Sequence, residues 1–288
     1  MAKVSLAFPD PSTSFLQGRV IPPESALVLS VPHAGTAISG FEGSLADQLD
    51  VRGDADLYVD RLYGVDVAAS SPARAPYVAA LLSRFVCDMN RDPDDVSRAA
   101  VPEHPAPKNL DGRGFIWAVT TTGDSALKRP LTLLEWQARQ AIHAAYHRAI
   151  DQALTRARDR FGFAVLVDGH SMPSVGRSGH KDPGRPRAEI VPGDRDGTSC
   201  APALADLVGK HFISSGYSVS FNDPYKGGYV TAEHGRPAEN IHAIQIEARR
   251  DLYMDEATYA PEPEGFHRLQ QTLRELLHHI AGWRPRRP

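Results

Sequence analysis

Short apolar runs rich in β-branched residues recur along the chain, separated by stretches whose apolar positions fall three and four residues apart. The runs are "ALVLSVPH" (26–33), "SRFVCDMN" (83–90), "FAVLVDGH" (163–170), "YSVSFND" (217–223) and "IHAIQIEA" (241–248). Their apolar character predicts strands buried in a sheet. The intervening spacing predicts amphipathic helices over 45–65, 131–162 and 201–216. The second helix has Thr132 as its cap, Glu135 three residues on to complete a capping box, and Gly162 at its end; the third stops at Gly216. Strands alternating with helices predict an α/β fold: a single domain over residues 1–288, with a mixed or parallel sheet, helices on both faces and a site at the C-terminal edge of the strands. Residues 92–126 and 172–199 are rich in Pro, Gly and Asp and predict long loops, which in a compact domain are usually functional or disordered. Residues 282–288, "GWRPRRP", read as a flexible basic tail.

Composition narrows the function. A net charge of −3 gives no general attraction to nucleic acid or to an anionic membrane, so a small charged ligand must be read by local residues. No apolar run reaches the roughly 18 residues that span a bilayer. The opening "MAKVSLAFPDPSTS" lacks the basic-then-apolar order of a secretory signal, which predicts a cytoplasmic protein. Cys87 and Cys200 stand in no Cys-x-x-Cys pair and read as small buried hydrophobes.

Polar residues with chemical potential gather where strands end. His33 and His170 leave two different strands at like positions, an arrangement that suits a divalent metal, although a single strand-end histidine is ordinarily structural. "GDADLYVDRLYG" offers Asp54, Asp56 and Asp60 as a third ligand, with helix capping as the plainer role. Glu247 ends the "IHAIQIEA" run, either as a general base or as an ion-pair partner of Arg249 or Arg250. Asn90 and Arg91, with Arg84 upstream, are suited to gripping a carboxylate. Residues 221–235, "FNDPYKGGYVTAEHG", combine a turn, a glycine pair and His234, as a flexible flap does.

Taken in order, "SVPHAG", "DADLYVDRLYG", "SRFVCDMNRDPDD", "DGHSMPS", "NDPYKGGYVTAEHGRP" and "HAIQIEARRDLYMDE" resemble the N-formylglutamate amidohydrolase family from about Val28 to Glu256. The resemblance implies a fold related to the zinc carboxypeptidases and hydrolysis of N-formyl-L-glutamate to L-glutamate and formate, the last step of one histidine-degradation route. It implies one divalent ion, zinc, held by His33, His170 and Asp56, with Asp54 second in line. It also implies Glu247 as the proton-transfer residue and Asn90 with Arg91 as the substrate clamp. Arg84 and Arg249 are further candidates for reading a carboxylate, and Arg91 or His234 is suited to stabilising the negative intermediate. The carboxypeptidase pattern has a Glu three residues after its first metal histidine; here that position is Thr36, so the Asp takes its place. In the loop 172–199, containing His180, Asp194 and Asp196, Arg187 or Arg195 is expected as a second carboxylate reader. Two alternatives remain: a related metallohydrolase for another N-acyl or acidic amide, and a non-catalytic binder of acidic ligands.

Overall fold

Nine consecutive buried residues, Ala164–Met172, form the central strand, and their alternation sets up both faces of the sheet. The computed structural model describes residues 16–19, 23–65 and 75–285; the opening stretch 1–14 and residues 286–288 of the expected tail lie outside the described residues. The strands are β1 (Leu16–Arg19), β2 (Leu27–Val31), β3 (Tyr77–Ala80), β4 (Ala164–Met172), β5 (Ile190–Gly193) and β6 (Ile241–Arg249). The helices are α1 (Val59–Leu62), α2 (Leu133–Phe161), α3 (Pro202–Ser214), α4 (Tyr229–His234) and α5 (Pro263–Gly282). Six strands make one mixed sheet in the order β1-β3-β2-β4-β6-β5. The inner four run parallel and each edge strand is antiparallel to its neighbour.

Helices cover both faces, as the strand–helix alternation predicts. Val28, Val78, Leu166 and Ala243 pack on one face against Tyr146, Ile150 and Leu154 of α2. Leu29, Val167 and Ile244 turn to the other, against Val208 and Phe212 of α3 and Leu273 and Leu276 of α5. In a parallel pair, side chains in register share a face, and successive residues alternate between faces. Val28 is opposite Leu166, and Leu166 opposite Ala243; two residues on, Ser30 is opposite Asp168 and Asp168 opposite Gln245; beyond them His170 is opposite Glu247. The α2 face is therefore apolar at the start of the strands and polar at their carboxyl ends.

The capping box of α2 forms as expected: Glu135 N–H donates to the Thr132 hydroxyl, and the helix ends on Gly162 at φ 82°. Such a cap stabilises a helix by about 1 kcal/mol. Three expected elements differ. Residues 83–90 form turns rather than a strand; the strand is Tyr77–Ala80, and Phe85, Val86, Cys87 and Met89 are buried in irregular chain. Asp88 N–H donates to Phe115 O at 2.9 Å, so this buried backbone is satisfied without a ladder. Residues 217–223 contribute a single bridge, Val219 to Ile190. Of residues 45–65, only Val59–Leu62 is α-helical, because Asp54 and Asp56 before it are held by distant partners. The loop 172–199 contains β5, and the segment 221–235 contains α4. The latter is tied down at Asn90, whose carbonyl accepts Tyr229 N–H at 3.1 Å and whose Oδ1 accepts Val230 N–H at 2.8 Å.

Candidate metal centre and its cavity

Three buried side chains from three elements converge at the carboxyl ends of β2 and β4. His33 follows β2, Asp56 precedes α1, and His170 lies in β4; their ligand atoms are within 4.8 Å of one another. Both Nδ1 atoms face one oxygen, Asp56 Oδ2, at 3.6 Å from His33 and 3.0 Å from His170. The chain itself draws Asp56 in, since Asp56 N–H donates to His33 O at 2.9 Å. His33 Nδ1 is a buried polar atom without a hydrogen-bond partner among the described residues. A ligand to that nitrogen would relieve the cost of burying it unpaired.

The other nitrogen of each imidazole is held by a carboxylate, as metal-ligating histidines usually are. His33 Nε2 pairs with Asp88 Oδ1 at 2.7 Å and His170 Nε2 with Asp168 Oδ2 at 2.9 Å. Each carboxylate is fixed in turn. Asp88 accepts Trp117 Nε1–H at 3.0 Å and two N–H groups of Arg84; Asp168 accepts the Ser30 hydroxyl at 2.6 Å, and Ser30 contacts Tyr146 Oη of α2 at 2.8 Å. Burial pushes the Asp88 carboxyl up, but Arg84 and His33 outweigh it and hold it well below the usual carboxylate range. Burial likewise opposes charge on His170, yet Asp168 and Asp56 hold that imidazole well above its ordinary value. The surroundings thus favour positive charge at the convergence point. A His, His, Asp donor set suits zinc or a similar divalent ion.

The structure separates the neighbouring aspartates. Asp54 accepts the Thr121 hydroxyl, Thr121 N–H at 3.0 Å and Arg177 Nη1 at 3.1 Å, whereas Asp56 joins the histidines. The second oxygen of Asp56 accepts Arg250 Nη2–H at 3.1 Å. Thr36 is exposed and outside the centre.

A cavity of about 840 Å³ opens over these residues and is lined by Glu247, Asn90, Arg91, Arg84, Arg250 and Arg195, among others. Glu247 is buried, makes no ion pair with Arg249 or Arg250 among the described residues, and is fixed by Gln245 Nε2–H donating to Oε1 at 2.9 Å. Burial raises its carboxyl to about 7; Asp56 adds to the rise, and His170 and Arg84 oppose it. The Asn90 amide also donates to Gln245 Oε1 at 3.2 Å. Gly228 packs so closely on this amide that a Cβ there would lie 2.4 Å from it. Arg84 stacks on Trp117 with 4.4 Å from its guanidinium carbon to the ring centroid.

Two expected site residues lie elsewhere. Arg249 is outside the cavity lining and pairs with Asp251 at 2.8 Å, while the next residue, Arg250, turns inward. His234 is also outside the lining; it stacks on His147 and contacts its Nδ1 at 2.9 Å. Of the loop residues, Arg187 is buried in an ion pair with Asp182, and His180 reaches the cavity with its Nδ1 accepting Arg177 N–H at 2.8 Å. Sequence reasoning missed Asp88 and, although Asp168 stands out as the acid at the end of the "AVLVDGH" run, gave it no role; each lies two residues before an expected site residue.

Fold and site together define a mixed α/β protein with a buried His, His, Asp centre at the carboxyl edge of its parallel strands. The sequence profile of the N-formylglutamate amidohydrolase family matches residues 25–254, and the chain belongs to that family. It is an amide-bond hydrolase. The chain is 33% identical over 280 residues to N-formylglutamate deformylase of Pseudomonas aeruginosa, covering 95% of this chain and 97% of the relative. A deformylase of the same name from Pseudomonas putida is 32% identical over 282 residues, with the same coverage. The crystal structure of N-formylglutamate amidohydrolase from Ralstonia eutropha superposes with a TM-score of 0.80 at 36% identity, covering 93% of this chain and 97% of that one.

Proposed function

We propose that this protein hydrolyses N-formyl-L-glutamate to L-glutamate and formate with the aid of one divalent metal ion, zinc, held by His33, Asp56 and His170. The observation that carries the reading is the convergence of two Nδ1 atoms on one Asp56 oxygen, within a cavity that also holds Glu247, its carboxyl raised by burial to about 7, and Arg91, which makes no ion pair among the described residues. A divalent ion in such a site supplies electrophilic activation of the amide carbonyl and of water.

The chain's own groups account for the remainder. Glu247, poised near neutrality, takes a proton from the attacking water as the carbon–oxygen bond forms, and returns it to the departing amine as the carbon–nitrogen bond breaks. Arg84 and the edge of the cavity around it offset the negative charge that develops. Arg91, which makes no ion pair among the described residues, grips one substrate carboxylate, and Asn90 forms the wall beside it. His234 and Arg249 lie outside the cavity lining and are given no part in this reading. A single domain over residues 1–288, a cytoplasmic location and a place in histidine degradation complete it. No helix among the described residues is long and apolar enough to cross a membrane.

Release of the free amino acid from N-formyl-L-glutamate, N-formyl-L-aspartate and N-acetyl-L-glutamate, each with and without a chelator, tests the reading. Release from the first substrate alone, abolished by chelation and restored by zinc, is the expected result. Preference for N-acetyl-L-glutamate would favour the related metallohydrolase, and release that ignores the chelator would remove the metal from the reaction.

A further inference from the structure

The basic residues lining the cavity fall into two groups. Arg84, Arg113, Arg185, Lys226 and Arg250 are each in an ion pair with a carboxylate of the protein: Asp88, Asp111, Asp223, Asp196 and Asp56 respectively. Arg91, Lys181 and Arg195 line the same cavity and make no ion pair among the described residues. Lys181 is exposed, and an ammonium is a hydrated point charge; the two guanidinium groups can each grip a carboxylate with two parallel N–H bonds.

Arg195 is held in place by its loop. It lies at φ 55°, followed by Asp196 at 57° and Gly197 at 83°, a left-handed run that side-chain-bearing residues adopt only when their surroundings impose it. The surroundings are specific. Asp194 Oδ1 accepts Gly197 N–H at 2.9 Å and an Asn222 amide N–H at 2.8 Å, and Arg195 N–H donates to Lys226 O at 2.7 Å. One guanidinium nitrogen, Nη1, donates to Gly227 O at 3.1 Å. Nε and Nη2 have no partner among the described residues, so an intact two-donor edge remains. Gly227 leads into Gly228, which packs on the Asn90 amide, and this places Arg195 beside the wall that also carries Arg91. Arg187, the other arginine of the loop, is already occupied by Asp182.

We propose that Arg195 reads the second carboxylate of a dicarboxylate amide while Arg91 grips the first, and that it sets the preference for an acidic over a neutral side chain. The inference rests on the reading of the cavity as a site for N-formylated acidic amino acids. A dianion spanning the two guanidinium groups gives each a counter-charge, where a monoanion leaves one of them without.

Calorimetry with glutarate and with its monoamide, 4-carbamoylbutyrate, separates this inference from the catalytic reading, because binding needs no turnover. The wild-type protein should bind glutarate about 10- to 100-fold more tightly than the monoamide, the range of one charge-assisted contact. Arg195→Gln should weaken glutarate by about that factor and leave the monoamide within about threefold, with Arg195→Lys in between. The unchanged monoamide affinity reports that the variant is folded. Equal losses on both ligands, an unchanged ratio, or a wild-type protein that does not prefer glutarate would each overturn the assignment. The kcat/KM ratio for N-formyl-L-glutamate over N-formyl-L-glutamine should fall in parallel. Should the binding pattern hold while neither formyl compound releases formate, the catalytic reading fails and the role of Arg195 stands.

Discussion

Glu247 and Arg91 occupy opposite situations in one cavity, and each makes a test at the scale of a single residue. Glu247 is buried, lies opposite His170 in the β4–β6 register and is shifted towards neutrality chiefly by burial. Replacing it with Gln keeps the shape and the contact from Gln245 while removing the proton acceptor. Glu247→Gln should retain metal and melting temperature yet lose about 10²–10⁴-fold in kcat, the scale of general acid–base catalysis. Near-normal kcat at full metal content would sink the assignment of the base. Arg91 is exposed and makes no ion pair among the described residues, so its replacement disturbs nothing structural through a lost partner. Arg91→Lys should lower kcat/KM by about 10-fold or more by removing the bidentate geometry, with melting temperature unchanged. If steady-state kinetics showed no change, the first carboxylate would have to be gripped elsewhere.

Helix α2 shows how an element can serve a site without entering it. Its residues His143 and His147 donate Nε2–H to Arg91 O at 3.0 Å and Met89 O at 2.9 Å, the carbonyls on either side of Asn90, and His147 Nδ1 meets His234 Nε2 of α4 at 2.9 Å. The three rings join α2, the 88–91 segment and α4. Burial pushes His143 and His234 down to about 4, and His147 well below its ordinary value. The folded protein therefore resists protons that the unfolded chain accepts at the ordinary value of about 6.5. Their contribution to stability is complete above that value and is lost as the pH falls towards about 4. Melting temperature should accordingly decline over this window, more steeply than in His234→Leu, which removes one of the titrating groups. Equal slopes for the two proteins would show that these rings do not govern the acid limb.

Across the whole molecule, the metal centre joins segments that are distant in sequence: the exit of β2, the entry to α1, and β4. A ligand that binds only the folded arrangement stabilises it by mass action, by about 2.7 kcal/mol when present at 100 times its dissociation constant. Chelation should lower the melting temperature, and zinc should restore it. In His170→Ala the chelator should have no effect, and elemental analysis should find the ion missing; full occupancy there would disprove the proposed ligand set.

Elements whose signals are local could be read from the chain without its fold. The capping box at Thr132 and Glu135, the stop at Gly162, the continuous apolar run of β4 and the alternation in β6 all act through near neighbours, and all appear in the structure. The periodic Phe266, Leu269, Leu273, Leu276 and Leu277 of α5 carried an equally local signal that the sequence reading passed over. Strand-end placement of His33, His170 and Glu247 was legible because a parallel sheet delivers its carboxyl ends to one edge. The remainder depended on contacts between segments far apart in the chain. Residues 83–90 are apolar enough for a strand, yet they lie as a buried loop because Phe115 and Arg139 satisfy their backbone from afar. Asp54 and Asp56 are equivalent in sequence; Thr121 and Arg177 claim one, and the histidines and Arg250 the other. Arg249 and Arg250 are likewise adjacent, but the strand ends between them, so one pairs with Asp251 while the other turns in to Asp56. Local propensity ranks conformations of a segment, whereas a polar side chain's role depends on which distant groups reach it, and only the folded chain brings those groups together.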